Sequence, residues 1–165
     1  MPSADKSTRG NASQFFVAGE LCRRGYSAVV TLGNTPNTDI LCSNLAGTRF
    51  VHIQVKTFIP GRRTCSVGLK AERNFGDNFF WVVGGIPEPN SARPFEYYVI
   101  PAIDMAENVS QAHHQWHTTK GAKGQDRNDS SVRTVHLPPF KSISGWDISD
   151  FRDRWDLIEA KLTAS

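Results

Sequence analysis

Four polar residues in the first third of the chain stand in an order suited to phosphodiester hydrolysis: Glu20, Asp39, Gln54 and Lys56. Cutting such a bond at neutral pH calls for a divalent ion that polarises the phosphate and acidifies a water. A hard ion such as Mg²⁺ takes oxygen ligands from one or two carboxylates. A cation beside the attacking water then offsets the charge that develops. The sequence supplies an acid on an expected helix, an acid opening an expected strand, and Gln54-Val55-Lys56 on the strand after it.

The elements that must position these groups are legible from periodicity. Over residues 11–24, Ala12, Phe15, Ala18, Gly19 and Cys22 recur at helical spacing, and Gly25 stands where a helix-ending glycine belongs. Glu20 borders the apolar face beside Phe16, so it can reach inward. A strand is expected over 26–32, a loop over 33–37, a short strand over 38–43, a turn over 44–47 and a third strand over 48–57. In that third strand Val51, Ile53 and Val55 face one way, and Phe50, His52, Gln54 and Lys56 the other. A tight loop at Ala46-Gly47 pairs Asp39 with Gln54, whereas a longer loop over 44–47 pairs Asp39 with His52. Either register leaves the acid on the polar face.

These residues resemble the PD-(D/E)XK nuclease superfamily, whose shared core is a helix followed by a three-stranded meander. The signature reads Glu20, Thr38-Asp39, then Gln54-Val55-Lys56, and it is most similar to the Gln-x-Lys branch that includes Mrr-like restriction enzymes and Holliday junction resolvases. The resemblance implies an α/β, restriction-endonuclease-like fold with a mixed central sheet flanked by helices. It also implies an Mg²⁺- or Mn²⁺-dependent DNA endonuclease. Asp39 would be the central metal ligand, Gln54 and the Val55 carbonyl further ligands, Glu20 a helix-borne partner, and Lys56 the water-activating cation. The match covers residues 11–57. Thr38 stands where the family has proline and Gln54 where it has an acid, which lowers the charge of the site. The alternative is a nuclease fold that has lost cleavage and binds nucleic acid or protein. A regulatory interaction protein of toxin-antitoxin type is the reading from another class.

The remaining chain bounds these readings. At 165 residues, with 39% hydrophobic and 21% charged, it has the size and composition of one globular domain, with residues 1–10 expected to be flexible. Net charge is +3, unevenly spread. Residues 1–75 hold ten Lys/Arg against four acids, a balance of +6, and the rest hold nine against twelve, a balance of −3. A basic half suits a polyanion, DNA first and RNA as the alternative, and a homodimer is compatible with it. Arg62 and Arg63, in an exposed loop over 58–64 just past the site strand, are the expected phosphate contacts. No apolar run reaches about 18 residues, so no membrane partner and a cytoplasmic location are expected. Cys22, Cys42 and Cys65 are scattered and suit neither a disulfide framework nor a zinc site.

Further along, 79–86 is a continuous apolar run expected to be a strand buried on both faces. Pro-rich 87–94 is a break, 95–100 a strand, 103–117 a helix led by Pro101, and 119–131 the most mobile loop. An edge strand over 132–137 and a closing helix over 148–162, with Phe151, Trp155 and Ile158 on one face, complete the chain. Gly84-Gly85 reads as a turn, Trp146 and Trp155 as core, and His113 and His117 as a solvated helix end without a third metal ligand.

Overall fold

A computed structural model describes residues 6–32 and 35–163 of the chain. Residues 1–5 of the expected flexible N-terminus, and positions 33 and 34 of the expected 33–37 loop, lie outside the described residues.

The first helix, α1 (Lys6–Arg23), begins earlier than expected, and residues 6–10 belong to it. Apolar periodicity starts only at Ala12. The preceding turn is held by polar contact, with Arg9 paired to Glu88 at 3.6 Å, so hydrophobic spacing cannot mark it. The C-terminus is a Schellman ending: Gly25 (φ 91°) donates to Cys22 and Tyr26 donates to Leu21. Only glycine adopts that φ without steric cost.

β1 (Ser27–Val30), β2 (Ile40–Ser43) and β3 (Phe50–Phe58) form the expected antiparallel meander. β5 (Phe79–Gly85) joins β3 in parallel, and β6 (Glu96–Pro101) joins β5 antiparallel, giving the sheet order β1-β2-β3-β5-β6. Between β3 and β5 lie β4 (Thr64–Ser66), which sequence periodicity did not mark, and a 3₁₀ turn over Leu69–Glu72. β4 pairs with β7 (Thr134–His136) as a separate ribbon. The helix α2 (Ala102–Thr118) follows Pro101 directly.

Each face of the sheet carries its own core. α1 and α3 (Asp156–Thr163) cover one face, where Val17, Leu21, Trp155 and Ile158 pack on Val51, Ile53 and Val55. On the other face α2 and the β4–β7 ribbon cover β5 and β6, burying Trp81, Tyr98, Met105 and Val135. Full burial of side chains of this size contributes on the order of 1.5–3 kcal/mol each. Leu41, His52, Gln54 and Lys56 belong to neither core, so the second face stays open over β2 and β3. That gap positions the site.

Two expectations are corrected here. The closing helix starts at Asp156, not at residue 148. Before it, Arg152 bridges Tyr98 and Asp153 N–H donates to the Tyr97 carbonyl, which draws the chain onto β6, and Asp153 (φ 53°) then turns it away. Phe151 consequently packs in the core opposite the one that holds Trp155 and Ile158. Gly84 and Gly85 are not a turn but the end of β5. A Cβ on Gly84 would sit 2.7 Å from Ser13 Oγ, and one on Gly85 would sit 2.6 Å from the Phe58 ring. Close approach, not turn geometry, requires the glycines. The 119–131 segment is irregular, as expected, and is tied back by Arg127 to the Trp116 carbonyl and by Asp129 to His113.

Candidate active site

Asp39 sits just before β2, and the ladders on both sides hold its backbone. Its N–H donates to the Ile53 carbonyl at 2.9 Å, and its own carbonyl accepts from Thr31 N–H at 2.9 Å. The β2–β3 pairing runs Ile40↔Ile53, Leu41↔His52 and onward, so Asp39 falls opposite Gln54. This is the register of the tighter loop considered from sequence. The loop itself is wider: Asn44 N–H closes it on the Arg49 carbonyl, and Asn44 Oδ1 caps Thr48 and Arg49. Both loops share one centre, which is why the register survives the difference in size.

The Asp39 carboxylate accepts from Gln54 Nε2 and, at 2.7 Å, from the main-chain N–H of Val55. In an extended strand the N–H and C=O of one residue point to the same edge. The Val55 carbonyl is therefore aimed past the end of β2, beside the same carboxylate. Burial holds the Asp39 carboxyl above its ordinary range, opposed in part by the Val55 N–H and by the positive charges of Lys56 and Lys70. Lys56 follows on the same face of β3, its Nζ 5.9 Å from the centre of the Trp81 ring. Trp81 is the β5 partner of Gln54 and is fully buried.

Sequence reasoning missed Trp81 and Lys70. The apolar run of β5 does not reveal which residue lies beneath Lys56, because that depends on a parallel neighbour distant in sequence. Lys70 sits on the 3₁₀ turn of a stretch without strong periodicity, and no local signal identifies it.

Glu20 does not join the others. Its carboxylate takes Arg23 Nε and Nη2 at 2.8 Å each and Arg24 Nε at 2.8 Å. The Arg23 hydrogen bond, above all, holds its carboxyl below the ordinary range. It lines a hollow with Phe95 and Tyr97, and α1 packs on the sheet face opposite Gln54 and Lys56. The expectation that Glu20 supplies a site ligand is corrected. The residue does border the apolar face of α1, but that face leads to the other side of the sheet. From α1 it is Asn11, Gln14 and Phe15 that share a hollow of ≈390 Å³ with Thr38 and Asp39.

The two expected phosphate contacts also part. Arg62 lines a cleft of ≈660 Å³ with Lys56 and Arg9, whereas Arg63 lays its guanidinium 4.6 Å from the centre of the Phe140 ring. Arg9 therefore joins Lys56 and Arg62 as a basic group of that cleft, a role hidden in sequence because α1 passes the end of β3 only in the folded chain.

As a donor set, one carboxylate, one amide oxygen and one main-chain carbonyl suit a hard cation and leave positions for water and phosphate oxygens. Among the described residues no group of three His, Cys, Asp or Glu side chains is placed to hold a metal. Any ion bound here would thus rely on Asp39 for protein charge. The His113 and His117 rings are stacked at 6.2 Å, and His113 is bonded to Asp129 at 2.9 Å.

No family model matches the sequence, and no curated protein matches it. Among solved structures, the bacterial homing endonuclease I-Ssp6803I is similar over 95% of this chain and 94% of its own, with a TM-score of 0.53 and 16% identity. The likeness shows the fold: an endonuclease-like α/β arrangement with a five-stranded mixed sheet flanked by helices. No helix among the described residues is long and apolar enough to cross a membrane.

Proposed function

We propose that the chain is a metal-dependent DNA endonuclease of PD-(D/E)XK type, with Asp39, Gln54, the Val55 carbonyl and Lys56 as its working groups. The observation that carries this reading is the convergence of the Asp39 carboxylate, the Gln54 amide and the Val55 main chain at the end of β2, with Lys56 next on the same face. The fold shared with a homing endonuclease supports it.

When bound by Asp39, Gln54 Oε1 and the Val55 carbonyl, Mg²⁺ or Mn²⁺ supplies Lewis acidity toward the phosphate and acidifies a water. The chain's own groups do the rest. Arg9 and Arg62 hold the sugar-phosphate backbone in the cleft beside β3. Lys56, its ammonium above Trp81 on the face that carries Gln54, would offset the negative charge gained as the water oxygen bonds to phosphorus and one P–O ester bond breaks. The proton the water gives up passes through solvent to the departing oxygen. Gln54 must turn its amide so that the oxygen replaces Nε2 beside Asp39. That swap keeps the side chain's shape.

The test titrates Mg²⁺ against cleavage of supercoiled and branched DNA by wild type, Gln54→Glu and Asp39→Ala. Cleavage by wild type, activity at lower Mg²⁺ in Gln54→Glu and none in Asp39→Ala is the expected pattern. No cleavage by any of the three, with no metal binding by Gln54→Glu, would leave a nuclease fold used only for binding. The presence of a single carboxylate among the converging groups favours that second reading over any other alternative.

A further inference from the structure

The β4–β7 ribbon separates the Lys56 cleft from a second cavity of ≈450 Å³: β4 lines the first, and Thr134 and His136 of β7 line the second. Its other walls include Val109, His113 and Trp116 from α2, Arg127 from the following loop, and Arg133. We propose that this cavity is a nucleotide-binding site that stacks a base against Trp116 and places the attached phosphate on Arg127.

The lining chemistry points to that ligand class. Two arginines and two histidines line the cavity; Asp129 engages His113 and Glu72 engages Arg133, which leaves Arg127 as the lining cation able to meet an anion. Arg133 is buried and committed to the fold, bonded to Glu72 and to the Ser130 and Val132 carbonyls. Arg127 is different: its hydrogen bonds go to the main-chain carbonyls of Trp116 (3.2 Å) and Lys120 (3.4 Å), with no carboxylate partner among the described residues. Its guanidinium lies over the Trp116 ring, 4.9 Å from the ring centre, and must leave that face for a base to stack there, which releases it to the phosphate.

The platform is built. Trp116 is 36% exposed and its indole stacks on His113 at 5.6 Å, and Asp129 fixes His113 through Nε2 at 2.9 Å. A planar heteroaromatic ring gains on the order of 1–3 kcal/mol from such stacking. The same cavity is lined by Thr134 and by His136, whose imidazole is kept less basic than usual by burial above all, and then by Arg63. Among the described residues His136 Nδ1 is buried without a hydrogen-bond partner, so turning that ring toward a ligand sacrifices no hydrogen bond at that atom. The volume lies within the range of about 300–1,000 Å³ usual for small-ligand sites. A free nucleotide and an unpaired nucleotide of a strand share this chemistry. The site is separate from Asp39 and does not depend on cleavage there.

The test uses the full chain without divalent ions. Tryptophan fluorescence and calorimetry follow titration with dAMP, deoxyadenosine and deoxyribose 5-phosphate. Two duplexes complete the set, one fully paired and one carrying a single unpaired 2-aminopurine. Saturable quenching by dAMP is expected, with deoxyadenosine and the sugar phosphate each at least about five-fold weaker. Trp116→Leu should weaken dAMP binding at least about five-fold, the equivalent of losing one stacked base, while Trp116→Phe retains it. Arg127→Ala should abolish the preference for dAMP over deoxyadenosine, and Asp39→Ala should bind as wild type does. Preference for the duplex with the unpaired base assigns the strand as the source, and equal binding of both duplexes assigns the free nucleotide. Absence of saturable dAMP binding, or undiminished binding by folded Trp116→Leu and Arg127→Ala, overturns the proposal.

Discussion

The Asp39 carboxylate accepts the main-chain N–H of Val55 at 2.7 Å, past the end of β2 and onto β3, the central strand of the five-stranded sheet. A side chain is thus tied to the backbone of the strand that carries Gln54 and Lys56. Any shift of β3 relative to β2 would break that bond, so the antiparallel register and the placement of the polar groups are coupled.

Because burial raises the Asp39 carboxyl above its ordinary range, the folded chain holds that proton more tightly than the unfolded chain does. The sign follows from linkage. Stability is penalised as pH rises from the ordinary carboxylate value through the raised one, and the penalty is then constant to neutral pH. Without metal, Asp39→Asn should melt above wild type near neutral pH and together with it at pH values below the carboxylate range. Mg²⁺ should raise the wild-type Tm and leave that of Asp39→Asn unchanged. A lower Tm for Asp39→Asn near neutral pH in chelator would show that the carboxylate is not penalised by burial.

Lys56→Ala should lower cleavage by about 10²–10³-fold, the usual cost of removing one group that stabilises a transition-state charge. DNA affinity should change little, and the salt slope by no more than about one phosphate contact. Single-turnover cleavage at saturating protein, measured beside binding at several salt concentrations, separates the two effects. An equal loss in binding and in cleavage would reduce Lys56 to a backbone contact.

Arg9→Ala together with Arg62→Ala should act in the opposite way, since both line the cleft and neither touches Asp39. Affinity should fall and the salt dependence should flatten by about two phosphate contacts, while the rate at saturation stays near wild type. An unchanged slope would remove the cleft from the DNA path.

Glu20→Gln should leave cleavage unaltered, because its carboxylate serves Arg23 and Arg24 across the sheet from Lys56. These are partly exposed pairs, so the stability cost should stay within about 1 kcal/mol. Loss of metal binding in this variant would return Glu20 to the site.

Ser13 is completely buried, its Oγ has no hydrogen-bond partner among the described residues, and it is the atom a Gly84 side chain would strike. Gly84→Ala should destabilise by about 1–3 kcal/mol through overpacking. Ser13→Ala should be neutral or stabilising, since it removes an unsatisfied polar group. The double variant should recover most of the Gly84→Ala loss, a coupling that urea unfolding of all four proteins measures. Strict additivity would refute the contact.

Sequence by itself determined α1, the meander, and the shared face of Asp39, Gln54 and Lys56. Each rests on residues close in the chain: a 3.6-residue period, a 2-residue alternation, and a loop whose centre sets the register. It also marked β5 as buried on both faces, because a strand covered by helices above and below has no polar side to show. Only the tertiary structure decided which other groups reach that face. Glu20 meets the border condition on the helix wheel, yet α1 lies across the sheet, and whether a helix covers one face or the other leaves no trace in its own periodicity. Trp81 beneath Lys56 depends on a parallel pairing, Arg9 in the cleft on where α1 begins, and the cavity at Trp116 on a ribbon joining β4 to β7 across some seventy residues. Such contacts are set by packing of distant segments, whose energies are spread over many side chains and are not written in any one window of the chain.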